Sequence, residues 1–269
     1  MRRSSLIFGS ALLAVITAMA LVSLVWTPYE PTAIVGTRLQ PPGWPHVLGT
    51  DGFGSDVFSR MLRGARLCLL IGVVSVAGSA VVGIPIGILA GMVRGWFGEI
   101  LVRGADILYG FPALLLAILF AAAVGGSTWT AMTAIAIASV PAFVRIARAA
   151  TLQVMGEGYI EAARLAATPR TQIALRHVLP NIAPVLGVQA SVSVGLAILA
   201  EAGLSYLGLG SGPKDPTWGR MLREAQDHLF SSPLVALWPG LAIAAATMAF
   251  TLLGDGLRDQ LDPRLRELS

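Results

Sequence analysis

The chain has 269 residues, 55% hydrophobic and 13% charged, with a net charge of +4 and a mean hydropathy of +0.73. An average soluble domain carries about 25% charged residues, so this composition excludes an ordinary soluble domain and points to an integral membrane protein. The single cysteine, Cys68, excludes an intramolecular disulfide and a cysteine metal cluster, and suits a small buried apolar position.

Residues 4–29, 67–93, 107–144, 177–200 and 229–254 contain no Asp, Glu, Lys or Arg. A spanning helix needs roughly 20 apolar residues. Four of the runs fit one helix each. The run 107–144 is too long for one and is interrupted by Gly125-Gly126-Ser127-Thr128, which is turn chemistry. It therefore divides into two short spans, giving six transmembrane helices in an all-α membrane protein. No alternation of the transmembrane-barrel kind is present.

Met1-Arg2-Arg3 before an apolar run resembles a signal peptide, with Ala18-Met19-Ala20 as a small-residue cleavage pattern. The run continues to Val25 and Trp26, longer than a usual signal core, which favours an uncleaved first helix. An outer loop follows from Pro28, where Pro41-Pro42-Gly43-Trp44-Pro45 excludes helix and central strand. Ser55 is an expected N-cap for a short amphipathic helix over residues 55–66. Phe58, Met61, Leu62 and Ala65 lie on one face, with Arg60 and Arg63 off it. It is expected to lie on the membrane surface before helix two.

Helix two carries Ser75, Ser79, Gly83, Gly87 and Gly91 at intervals of four, one stripe of small residues that lets a second backbone approach closely. That neighbour is either another helix of this chain or a second subunit. Pro85 predicts a kink. In the inner loop that follows, Glu99, Arg103 and Asp106 share a helical face able to hold ion pairs.

After the short pair of helices three and four comes the polar stretch EGYIEAARLAATPRTQIALRHVLPN, Glu157 to Asn181. It predicts a short helix around Glu161 with Ile160, Ala163 and Ala167 on one face. Thr168 as N-cap and Pro169 at the first position then start a second helix, which Pro180 stops. The insert either rests on lipid or its own bundle, or docks another protein that pushes helices four and five. His177 is a surface residue or part of such a contact. Helix five is expected over about 183–206 and helix six over about 234–253. Glu201 is an acid deep in an apolar segment. It is either functional or a carboxylate reaching interfacial water or a neighbouring turn.

With the N-terminus in the cytoplasm, the inner segments hold twelve of the 19 Arg and Lys residues. This bias places both termini and the insert in the cytoplasm. The net charge is thereby a topology signal, with no nucleic-acid partner implied.

The pattern Glu161-Ala162-Ala163, Ala167, Leu179-Pro180 resembles the coupling-loop motif of ABC importer permeases, which usually has Gly where Ala167 stands. Residues 48–66, Phe111 to Ile118, Ala200 to Gly210, Trp218 to Leu222 and Leu252 to Leu265 are similar to the dipeptide/oligopeptide branch of that family. That branch commonly has Arg where Ser55 stands, and the likeness points to its second-permease (C-type) members. It covers nearly the whole chain. Its architecture would be an N-terminal helix with outer loop and interfacial helix (1–65), a five-helix core (66–256) with coupling loop 151–182, and a cytoplasmic tail (257–269).

The resemblance implies a bacterial inner-membrane, multi-pass permease subunit forming half of a pathway for di- or oligopeptides. It implies a second homologous permease, two ABC ATPase subunits and an extracytoplasmic solute-binding protein as partners, besides membrane lipid. ATP and Mg would be used by the ATPases, with no cofactor on this chain. Gly158, Tyr159, Glu161, Ala162, Ala163, Arg164, Ala167, Leu179 and Pro180 would couple to the ATPase, and Glu201 and Trp218 are candidates for pathway or gate. Close relatives carrying nickel, haem or some sugars leave the solute open. The sole lysine, Lys214, lies outside any P-loop pattern, so active transport demands an ATPase partner. An enzyme would need a catalytic set that His46, His177 and His228 do not form. A passive channel would not need the long insert.

Overall fold

The structure is a computed structural model that describes residues 2–93, 95–212 and 214–261. Arg94 and the tail from residue 262, with Arg264 and Arg266, lie outside the described residues. The described residues form helices without any β-strand. In chain order these are α1 (Arg2–Val25), α2 (Val57–Met92), α3 (Trp96–Tyr109), α4 (Ala113–Val124), α5 (Thr128–Met155), α6 (Gly158–Leu165), α7 (Arg170–Ile173), α8 (Leu179–Tyr206), α9 (Trp218–Ala225) and α10 (Leu234–Leu261).

Five segments among the described residues are long and apolar enough to cross a membrane: 5–25, 57–92, 128–155, 170–206 and 234–260. The pair α3 and α4, which meet at 81°, makes a sixth crossing if the two are taken as one bent span. Gly110-Phe111-Pro112 explains the bend. Proline has no N–H and locks φ, so α4 starts afresh with Pro112 as its cap. The turn expected at residues 125–128 is present. Gly125 at φ 93° ends α4, and the Ser127 side chain caps α5 by accepting from the Thr130 N–H.

Small residues set the helix crossings. Ser75 Oγ donates to the Met132 carbonyl over 3.0 Å. A Cβ on Gly83 would sit 2.7 Å from Phe143 Cβ, one on Gly87 2.6 Å from Ala147 Cβ, and one on Gly91 2.7 Å from Thr151 Cβ. The stripe that includes Ser79 therefore runs parallel to α5 of the same chain, from Met132 to Thr151. Such close backbone approach maximises dispersion contacts where no hydrophobic drive between helices exists. Elsewhere Ser191 Oγ donates to the Phe250 carbonyl over 2.8 Å, joining α8 to α10. Gly9 lies against Leu252, joining α1 to α10.

Two expected boundaries differ. The short surface helix over 55–66 is the start of α2, which runs unbroken from Val57. Its N-cap is Asp56, not Ser55, because the Asp56 carboxylate accepts from both the Ser59 N–H (2.8 Å) and the Ser59 hydroxyl (2.7 Å). Arg60, expected on an outward face, is buried. It pairs with Asp51 and, over 2.6 Å, with Glu224 of α9. The expected surface helix is thus the wall of a packed cap built from residues 26–56, the start of α2, and α9.

Pro180 does not stop a helix. Residues 170–206 form one helical run, with a π-turn at Ala174–Val178 just before Leu179-Pro180. A proline ring clashes with the carbonyl four residues back, and the wider π-turn displaces that carbonyl. Asn181 Nδ2 donates to the His177 carbonyl over 2.6 Å, a side-chain bond across the same turn.

Candidate functional site

Three regions carry the residues singled out from sequence. The first is the end of the bundle where α5 gives way to α6. One residue, Ile160, anchors α6 by full burial, while Tyr159 is 44% and Leu165 90% exposed. Gly158, Glu161, Ala162 and Arg164 are exposed too, and Ala163 is half-buried. The helix thus offers Tyr159, Glu161, Ala162 and Leu165 outward. Its end is a Schellman motif. The Thr168 N–H donates to the Ala163 carbonyl and the Ala167 N–H to the Arg164 carbonyl, both over 3.0 Å.

The closing residue, Ala167, has φ 57°. Ala167 stands where the resembling motif usually has Gly, and it takes the left-handed backbone that glycine adopts without cost. The two carbonyls are capped at the cost of a Cβ in the left-handed region. The cap also shifts the next helix. Pro169 is extended at ψ 143° and its carbonyl accepts from the Ile173 N–H over 3.0 Å, so Pro169 rather than Thr168 caps α7, which starts at Arg170. A cleft of about 440 Å³ lies behind, lined by Met92, Met155, Arg164, Thr168 and Arg170. Leu179 and Pro180 open α8, with Val178 fully buried just before them. The Tyr159 and His177 rings lie 6.2 Å apart, bringing α6 beside the π-turn.

The second region is a cavity of about 530 Å³ between the α3–α4 bend, α5 and α8, within the size range of ligand pockets. Its walls are mostly Ala, Leu and Ile, with Ser139, Arg145, Gln189, Ser193 and Tyr109 as polar groups. Below it a second groove, sharing Ile146 and Gln189, continues past Gln153 and Asn181 to Arg258. Together they lead from mid-bundle to the α6 end. Asp106, expected to pair along its own helix with Arg103, instead accepts from Arg145 Nε (2.9 Å) and Nη2 (2.6 Å) on α5. The sequence reasoning missed Arg145 and Gln189 because helix packing, not spacing, brings them to one wall. A polar residue every few turns of an otherwise apolar span was the available signal.

The third region is the opposite end. Glu201 and Trp218 are both fully buried. Ser205 Oγ donates to Glu201 Oε1 over 2.6 Å. Cys68 Sγ lies 3.8 Å from Glu201 Oε2. Trp218 Nε1 donates to the Met61 carbonyl over 3.1 Å, and a Cβ on Gly64 would lie 2.7 Å from that nitrogen. Glu201 and Trp218 lie in the packing of α2, α8 and α9 and do not line the central cavity. They knit the cap to the bundle, together with the chain of pairs Asp51–Arg60–Glu224–Arg220.

Comparison with known proteins gives consistent matches. The family described as "Binding-protein-dependent transport system inner membrane component" matches residues 83–267. The glutathione transport system permease protein GsiD of Pectobacterium atrosepticum is 43% identical over 84% of this chain and 75% of its own length. The dipeptide transport system permease protein DppC of Alkalihalophilus pseudofirmus is 38% identical over 97% of this chain and 84% of its own. The di/tripeptide transport system permease protein DppC of Pseudomonas aeruginosa is 40% identical over 96% and 88%. Among solved structures, the MetNI methionine ABC transporter in an inward facing conformation is similar with a TM-score of 0.61 at 19% identity, covering 77% of this chain and 95% of that one. That likeness extends to the fold, with apolar spans assembled in the same arrangement. With a profile match over most of the chain and relatives near 40% identity along nearly all of it, the chain belongs to the family of inner-membrane components of binding-protein-dependent transport systems.

Proposed function

We propose that this chain is the permease subunit of an ATP-driven importer of di- or oligopeptides, and that it takes its drive through α6. The carrying observation is α6 itself. It is a rigidly capped eight-residue helix held by one buried isoleucine, with Tyr159, Glu161 and Leu165 turned outward. A 90%-exposed leucine on a short helix beyond the spans suits a groove in a partner rather than water. The partner would be an ABC ATPase, which supplies ATP hydrolysis with Mg. This chain acts as the non-catalytic path. Both termini and α6 then face the cytoplasm, and the α9 cap faces the solute-binding protein outside. A second permease would complete the pathway against the α4–α5–α8 cavity.

Peptide cargo rests on the relatives named for peptide transport. It also rests on a cavity whose walls are apolar with scattered amide and hydroxyl groups, suited to peptide side chains and backbone. The test is reconstitution of the complex that co-purifies with this chain into proteoliposomes. ATP-dependent uptake of labelled trialanine is the expected result. Uptake of nickel or haem with no peptide uptake would overturn the peptide assignment, and uptake without ATP would favour a passive channel.

A further inference from the structure

Arg145 sits 17 residues into α5, on the wall of the central cavity. Its guanidinium is held from two sides. Nε and Nη2 both donate to one oxygen, Asp106 Oδ1, and the carbon of the fork lies 4.0 Å from the Tyr109 ring centroid. Ring stacking and an ion pair fix a side chain that otherwise carries large rotamer freedom. Yet the group is not used up. Its side chain is 42% exposed, and among the described residues nothing accepts from Nη1. Across the cavity, Gln189 Nε2 donates to Ser193 Oγ over 2.9 Å, which leaves the Gln189 carbonyl and the Ser193 hydroxyl proton for a guest. The remaining walls are Ala, Leu, Ile and Val, with Ser139 as the one further polar group.

We propose that Arg145 is the anchor for a carboxylate of the cargo as it passes this cavity. The Nη1 and Nη2 edge of the guanidinium would receive the carboxylate, and Gln189 and Ser193 would receive a backbone amide. Asp106 and Tyr109 are positioning residues that aim the fork. A planar fork matches a carboxylate with two parallel hydrogen bonds, and apolar walls strengthen the attraction relative to water. The Asp106 carboxylate already balances part of the charge, so the hold is suited to passage rather than to permanent capture. This rests on the peptide-importer assignment and gives it a chemical preference: solutes with a free carboxylate.

The experiment uses the complex that co-purifies with this chain, without binding protein. Weak binding of trialanine and of its C-terminal amide is compared by saturation-transfer NMR. The wild type is expected to prefer the free acid by about tenfold, the worth of one hydrogen bond to a charged group. Arg145→Gln abolishes that preference, Arg145→Lys keeps part of it, and Asp106→Asn lowers it less than Arg145→Gln does. Equal binding of acid and amide by the wild type would overturn the anchor, as would an unchanged preference in Arg145→Gln. If Arg145→Gln does not assemble, an assembled Arg145→Lys complex that treats acid and amide alike overturns it too. An anionic lipid headgroup is the other oxyanion within reach. In nanodiscs, an Arg145-dependent signal for phosphatidylglycerol with none for trialanine would assign the guanidinium to lipid and overturn the proposal. Trialanine uptake in proteoliposomes separates the two levels. Uptake with equal binding of acid and amide removes only the anchor, whereas absence of any peptide uptake removes the importer assignment and the anchor with it.

Discussion

Ala167 holds φ 57°, a conformation that costs an L-residue with a Cβ roughly 1–2 kcal/mol. The turn needs it, because a left-handed residue lets its own N–H and that of Thr168 fold back onto the Arg164 and Ala163 carbonyls. Ala167→Gly should relieve the Cβ strain. Glycine also loosens the unfolded chain, which offsets about 0.4–1 kcal/mol of the gain. A net stabilisation of about 0.5–1 kcal/mol is expected, measured by thermal unfolding of the detergent-solubilised protein. A lowered melting temperature would show that the left-handed turn is not a source of strain. The motif spacing of the insert made this position visible in the sequence, but its backbone was not. Nothing in Leu165-Ala166-Ala167-Thr168-Pro169 advertises a left-handed residue when the usual glycine is replaced. Arg60 is similar. Its distance from Asp51 and Glu224 along the chain hides a buried ion pair that only folding assembles.

At the scale of elements, α2 and α5 form the tightest seam. Ser75, Gly83, Gly87 and Gly91 each meet α5 backbone or Cβ atoms. Gly87→Leu would drive a large side chain into Ala147 Cβ and the Val144 carbonyl. Both are on a rigid helix that cannot give, so the two spans must separate. Overpacking of this kind costs about 1–3 kcal/mol or more. Lower thermal stability and lower recovery of assembled complex are expected, and unchanged values would show that the seam is not needed. The stripe was legible because a four-residue interval of small side chains marks a face. Its partner was not, since a stripe is the same whether α5 or another subunit covers it. Helix existence was legible from charge-free runs, whereas helix ends were not. Pro180 reads as a stop, yet a π-turn carries the helix through it. Gly110-Phe111-Pro112 did not announce that α3 and α4 meet at 81°.

For the whole molecule, the apolar spans, the cavity between α4, α5 and α8, and the exposed α6 would form, in the proposed importer, one path from a partner's grip to the cargo. Ile160 ties α6 to the bundle. Residues 170–206 are one helical run with a π-turn near its start, so in the proposed importer a displacement at α6 would be passed along it from the α7 end towards the cap at Glu201. The family was legible from ordered motifs spread along the chain. The cavity was not, because Arg145, Tyr109, Gln189 and Ser193 converge only through packing.

The central claim is that α6 transmits the drive. Its most direct test is recovery of the chain from native membranes in mild detergent, with co-purifying proteins identified and ATP hydrolysis assayed, for the wild type and for Glu161→Lys. Glu161 is exposed in the first turn of α6, so its charge reversal leaves the bundle intact and changes the offered face. P-loop ATPases are expected to co-purify with the wild type, whereas the variant reaches the membrane but loses the ATPases or fails to couple hydrolysis to uptake. A variant that retains the ATPases and takes up peptide at the wild-type rate would contradict it.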